Sequence, residues 1–154
     1  MLSVPKAKAL KSRPRTDTLV GVTDLVFFYG TLMSGFKRPG RSRIDPKLTP
    51  QGIGSIPAAL FDLGIYPAAI PAFDSRVRGE IYRMFDSASV LDVLDEIEGF
   101  RPGRPDESLY MRVETPVTFD DGHVANAWVY FYNAPLGHAQ RIDSGDYLEY
   151  LKVK

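Results

Sequence analysis

Glu98 is the residue in this sequence best placed for acid–base chemistry. At about 100° per residue, Val90, Leu91, Leu94 and Ile97 share one face of a short helix over Leu91 to Gly99, and Glu98 falls on that same arc. The same reading leaves Asp92, Asp95 and Glu96 off the arc, in water. A carboxylate that leaves water together with leucines must find a partner or hold its proton to higher pH. Gly99 offers a helix C-cap, which sets Glu98 in the last turn, where the helix dipole disfavours negative charge. A carboxyl group raised toward neutral pH can take and return a proton, as a general acid–base residue must. A structural carboxylate bonded to a buried tyrosine or backbone amide fits this stretch equally well.

Other chemistries are restricted by composition. The chain has no Cys and two His, His123 and His138, which lie far apart with no metal-ligand spacing, so thiol nucleophiles, disulfides and a zinc site are not expected. Neither a His-Glu-x-x-His helix nor a Gly-x-Ser-x-Gly elbow occurs. Formal net charge is zero, so nothing in the whole-chain balance calls for nucleic acid or an anionic membrane as partner. No apolar run reaches the length of a membrane-spanning helix, and no apolar core follows the basic start as in a secretory signal. A cytoplasmic location is the expectation from these absences.

The elements that must position Glu98 follow from pattern. Met1 to Thr18, with Lys6, Lys8, Lys11, Arg13 and Arg15, reads as a disordered basic tail (residues 1–18), and residues 19–154 as one domain. Leu25 to Tyr29 reads as a buried strand, followed by Gly30-Thr31-Leu32, whose successive amides can form an anion-binding concavity. Met33 to Pro50 is a polar loop long enough to cover a site, and its Arg38, Arg41 and Arg43 can meet a substrate carboxylate. Gly52 to Pro71 reads as short strands joined by bends, with Tyr66-Pro67-Ala68-Ala69 as a tight extended passage.

Val77 to Met84 alternates as a strand, with Gly79 making room for a ligand or another backbone. Asp86 or Ser87 offers an N-cap for the Glu98 helix. Phe100 to Leu109 is a proline-containing loop, and Asp120-Asp121-Gly122 turns a hairpin between Tyr110 to Phe119 and His123 to Tyr132. Trp128, Tyr130 and Tyr132 share one strand face, lining either the core or a pocket. Strands before one central helix and a long antiparallel hairpin after it indicate an α+β fold, a small mixed β-barrel with flanking helices.

In sequence order, Phe28-Tyr29-Gly30-Thr31-Leu32, Gly79-Glu80-Ile81-Tyr82, Leu91 to Gly99, Tyr110-Met111-Arg112-Val113 and Ser144-Gly145-Asp146-Tyr147 resemble the γ-glutamylcyclotransferase-like superfamily, in particular its AIG2-like and γ-glutamylamine cyclotransferase branch. The resemblance spans Leu25 to Tyr147. It implies a barrel with a cavity, Glu98 as the catalytic glutamate, and a substrate-binding set of Tyr29, Gly30, Thr31, Leu32 and Tyr130. It also implies a small-molecule γ-glutamyl substrate cyclised to 5-oxoproline, with neither metal nor cofactor. A non-catalytic binding module on the same fold is the alternative. The basic tail and the Arg101-Pro102-Gly103-Arg104-Pro105 insertion depart from the pattern, at the expected cavity rim.

Overall fold

The computed structural model describes residues 22–154; the basic segment 1–18 and the expected onset of order near Leu19 lie outside them. Strand β1 (Leu25–Phe28) is buried along its whole length, as its unbroken apolar run requires. It pairs antiparallel with β3 (Pro67–Met84) and parallel with β5 (Val124–Tyr132). From β5 the ladder continues antiparallel to β4 (Tyr110–Phe119), then to β2 (Leu48–Asp62), and β2 returns to β3. Five strands thus close a mixed barrel, and a two-residue strand, β6 (Gln140–Arg141), pairs with the end of β2. This is the α+β barrel that the sequence indicates. Closure leaves a core of Phe27, Ile56, Leu60, Val77, Ile81, Val117 and Val129, each almost wholly buried.

The region Gly52 to Pro71 differs from the expectation of short strands. It belongs to β2 and β3, two long strands paired from Leu48↔Met84 to Asp62↔Pro67. Prolines and glycines interrupt the register without ending the strands. The ladder shifts between Pro50 and Gly52, and again after Pro57, where the partner jumps from Arg76 to Pro71 and residues 72–75 bulge out. Proline lacks the ladder donor, so a bulge is where a long strand accommodates it.

Gly79 proves to make room for backbone. A Cβ there would lie 2.3 Å from the Phe28 carbonyl oxygen and 2.6 Å from Phe27 Cζ, so only glycine lets β3 approach β1 this closely. Helix α1 (Ser87–Glu98) follows β3, with Asp86 at its N-cap and Gly99 at its C-cap. Gly99 adopts φ 67° and ψ 36°, and its N–H reaches back to the last turn, so the helix stops directly after Glu98.

The Phe100 to Leu109 segment folds on itself. A 3-10 turn at Pro105–Glu107, the Arg101–Glu107 and Arg104–Glu107 ion pairs and the Ser108 hydroxyl hold it together. Helix α2 (Tyr147–Val153) is N-capped by Asp146, whose carboxylate accepts from Glu149 N–H at 3.1 Å. Its Tyr147 ring stacks on Phe36, ring centroids 5.8 Å apart, so the Ser144 to Tyr147 motif anchors the loop after β1. No helix among the described residues is long and apolar enough to cross a membrane.

Candidate active site

One pocket opens where β1 ends and α1 ends. It spans about 530 Å³, open solvent at its mouth included, and is lined by the turn Gly30 to Leu32, by Tyr29, Tyr110 and Tyr130, and by Arg38 and Glu98. Phe27, Phe28, Tyr66, Pro67, Ile97 and Leu109 complete the wall. The structure thus brings the contiguous Tyr29, Gly30, Thr31 and Leu32 together with Glu98 and Tyr130, which are distant from them in sequence.

Glu98 is 10% exposed and sits among aromatic and aliphatic walls. Burial pushes its carboxyl up to about 7, against the pull of Arg38, whose Nη1 lies 3.3 Å from Glu98 Oε2. That separation is long for a charge-assisted hydrogen bond, so a single cation at this distance only partly offsets the lost hydration. The guanidinium also donates to Thr31 Oγ1 at 3.0 Å.

The Gly30 to Leu32 turn is held from both sides. Met33 N–H donates to Gly30 C=O at 3.0 Å, Arg41 donates to Leu32 C=O, and Ser34 N–H donates to Glu80 at 2.8 Å. Arg41 lies over the Tyr82 ring, 4.7 Å from its centroid, and Tyr82 O–H donates to Glu80 at 2.7 Å. The Gly79-Glu80-Ile81-Tyr82 stretch therefore shapes the turn from behind. Among the described residues, the N–H groups of Gly30, Thr31 and Leu32 have no protein acceptor.

Three of the four phenols that line the pocket spend their protons on the protein. Tyr29 O–H donates to Tyr130 C=O at 2.6 Å, Tyr110 O–H to Pro67 C=O at 3.1 Å, and Tyr130 O–H to Asp95 Oδ1 at 2.6 Å. Burial raises all three hydroxyls above the ordinary tyrosine range, so they stay protonated. Tyr130 consequently offers the pocket a ring and an oxygen lone pair, with no free proton.

Asp95 corrects the expectation that it stands in water. It is buried and paired with Arg112 through Nε at 2.9 Å and Nη2 at 3.2 Å, while the guanidinium lies over Trp128 and Phe100. Helical arithmetic contained the signal, since Asp95 is one turn beyond Leu91, about 40° around the helix, at the rim of the apolar arc. Its partners on β4 and β5 are decided by tertiary pairing. Of the three loop arginines, Arg38 alone lines the pocket: Arg41 is held by Leu32, Asp45 and the Tyr82 face, and Arg43 pairs with Glu96.

Residues 26–149 match the family described as gamma-glutamyl cyclotransferase, AIG2-like. The chain belongs to that family. It is 34% identical over 90 residues to the gamma-glutamylcyclotransferase family protein YtfP of Escherichia coli, covering 58% of this chain and 67% of YtfP. The solution structure of E. coli YtfP superposes with TM-score 0.58 and 30% identity over 82% of this chain and 97% of that one. A Pyrococcus horikoshii protein of 20% identity shares the fold, with TM-score 0.60 over 85% of this chain and 95% of its own.

Proposed function

We propose that this protein is a γ-glutamyl cyclotransferase that converts a γ-glutamyl amide to 5-oxoproline and releases an amine or amino acid. The observation that carries this reading is Glu98, buried with a carboxyl raised to about 7, facing a turn whose amides have no protein acceptor among the described residues. The substrate's α-nitrogen attacks its own γ-carbonyl carbon. As the new C–N bond forms, Glu98 accepts a proton from that nitrogen; as the amide C–N bond breaks, Glu98 returns the proton to the departing nitrogen. No water is consumed.

The Gly30, Thr31 and Leu32 amides hold the substrate carboxylate or the developing oxyanion, and the Tyr130 ring orients the folded chain. Both reacting groups belong to one molecule, so the pocket's task is to hold it in a near-attack conformation, and no metal or cofactor enters the step. A pocket bounded by Ile97, Leu109 and four tyrosine rings suits such a compact substrate.

The test incubates wild type and Glu98→Gln with a panel of γ-glutamyl amino acids and γ-glutamyl amines and follows 5-oxoproline by mass spectrometry. Product from wild type alone is expected, with kcat/KM rising with pH through about 7 as Glu98 loses its proton. Binding without product from any substrate would turn the reading toward a binding module.

A further inference from the structure

We propose that Arg38 is the residue that recognises the substrate's α-carboxylate, exchanging Glu98 for that carboxylate when substrate enters. This rests on the reading above, that the pocket takes a γ-glutamyl group. Among the described residues, Arg38 is the one cationic side chain lining the pocket. Three of the four pocket phenols have committed their protons to Tyr130 C=O, Pro67 C=O and Asp95, which leaves Arg38, the Tyr66 hydroxyl and the Gly30 to Leu32 amides as the donors facing an incoming ligand. Only Arg38 carries charge.

Its present bonds both come from Nη1, to Thr31 Oγ1 and Glu98 Oε2, so Nε and Nη2 retain donor capacity. A planar guanidinium with that much unused fork geometry suits a carboxylate, which it can bind through two parallel hydrogen bonds. The 3.3 Å contact to Glu98 is long and single, so it is readily exchanged. Arg38 is 27% exposed, on the loop side of the pocket, where it can meet substrate without disturbing the barrel.

The exchange also orders the chemistry. Glu98 is relieved of its cation when the α-carboxylate arrives, and its oxygens become available to the α-ammonium on the same carbon. The charge pattern of a γ-glutamyl group, one anion and one cation on the α-carbon, is then complementary to Arg38 and Glu98 taken together. Substrates whose α-carboxylate is masked should be excluded whatever amine they carry.

The experiment measures binding of 5-oxoproline and of its carboxamide, by calorimetry, to wild type, Arg38→Met and Arg38→Lys. Wild type is expected to prefer the acid on the order of 10- to 100-fold, as for a hydrogen bond to a charged group, with the preference lost in Arg38→Met and partly restored in Arg38→Lys. Wild type binding both alike, or neither, overturns the proposal, as does an Arg38→Met protein that keeps the full preference. Turnover of γ-glutamylalanine and γ-glutamyl ethylamide by the same proteins supplies the second readout. Arg38→Met should raise KM for both to a similar degree. A loss confined to γ-glutamylalanine would assign Arg38 to the departing amino acid's carboxylate and sink the proposal. Absence of product from wild type with every substrate would remove the cyclotransferase reading, while the acid-over-amide preference would still report on Arg38 separately.

Discussion

Replacing Glu98 by Gln should make the protein more stable at alkaline pH than the wild type, because the wild type carries a buried charge there. The carboxyl is raised from its ordinary 4.5 to about 7 by burial, net of Arg38. The folded state therefore holds the proton more tightly than the unfolded chain. The sign follows directly: between about 4.5 and 7 the folded state binds more protons, so stability falls as pH rises through that window, and the loss is complete above 7.

At about 1.4 kcal/mol per pH unit, that interval corresponds to about 3 kcal/mol. Glutamine has nearly the same shape and no charge, so it avoids this loss. The assay is urea unfolding of both proteins at pH 4 and pH 8.5. The stability of Glu98→Gln relative to wild type should increase by about 3 kcal/mol between the two pH values, or on the order of 10 °C in Tm. Taking the difference of differences cancels any packing change and every other titrating group common to both proteins. A relative stability that is the same at both pH values within about 1 kcal/mol would refute the argument that Glu98 is desolvated.

Two other perturbations test the frame around the site. Breaking the Asp95–Arg112 pair by Arg112→Leu or Asp95→Asn leaves a buried ionic partner unsatisfied and should cost about 3 kcal/mol in urea unfolding, whereas the double replacement should cost less than the two singles added. Gly79→Ala would force a Cβ against the Phe28 carbonyl and the Phe27 ring, so a loss of at least about 3 kcal/mol, or failure to accumulate folded protein, is expected by circular dichroism.

Fold and site were legible in the sequence to different depths. The unbroken apolar run of β1, the Asp-Asp-Gly hairpin before β5 and the Gly99 helix stop are local signals, and local sterics and hydrophobic period fix them wherever the chain goes next. The inward face of α1 was equally local, which is why periodicity placed Glu98 beside the leucines. The extent of β2 and β3 was not legible, because Pro57 and Pro71 read as breaks until a long partner strand exists to carry the bulge.

Charge pairing depended still more on tertiary structure. Asp95, on α1, is a surface residue or a buried one according to whether Arg112, 17 positions later on strand β4, arrives with its guanidinium. The loop arginines Arg38, Arg41 and Arg43 are equivalent in sequence, and only the packing of their loop against Tyr82 and α1 separates the one that faces the pocket from the two that do not. Sequence alone determined which apolar stretches leave water, because side-chain hydrophobicity and backbone period are properties of the chain. Tertiary structure decided which polar groups meet, because hydrogen bonds and ion pairs are short-ranged and directional and exist only once distant segments are brought within about 3 Å.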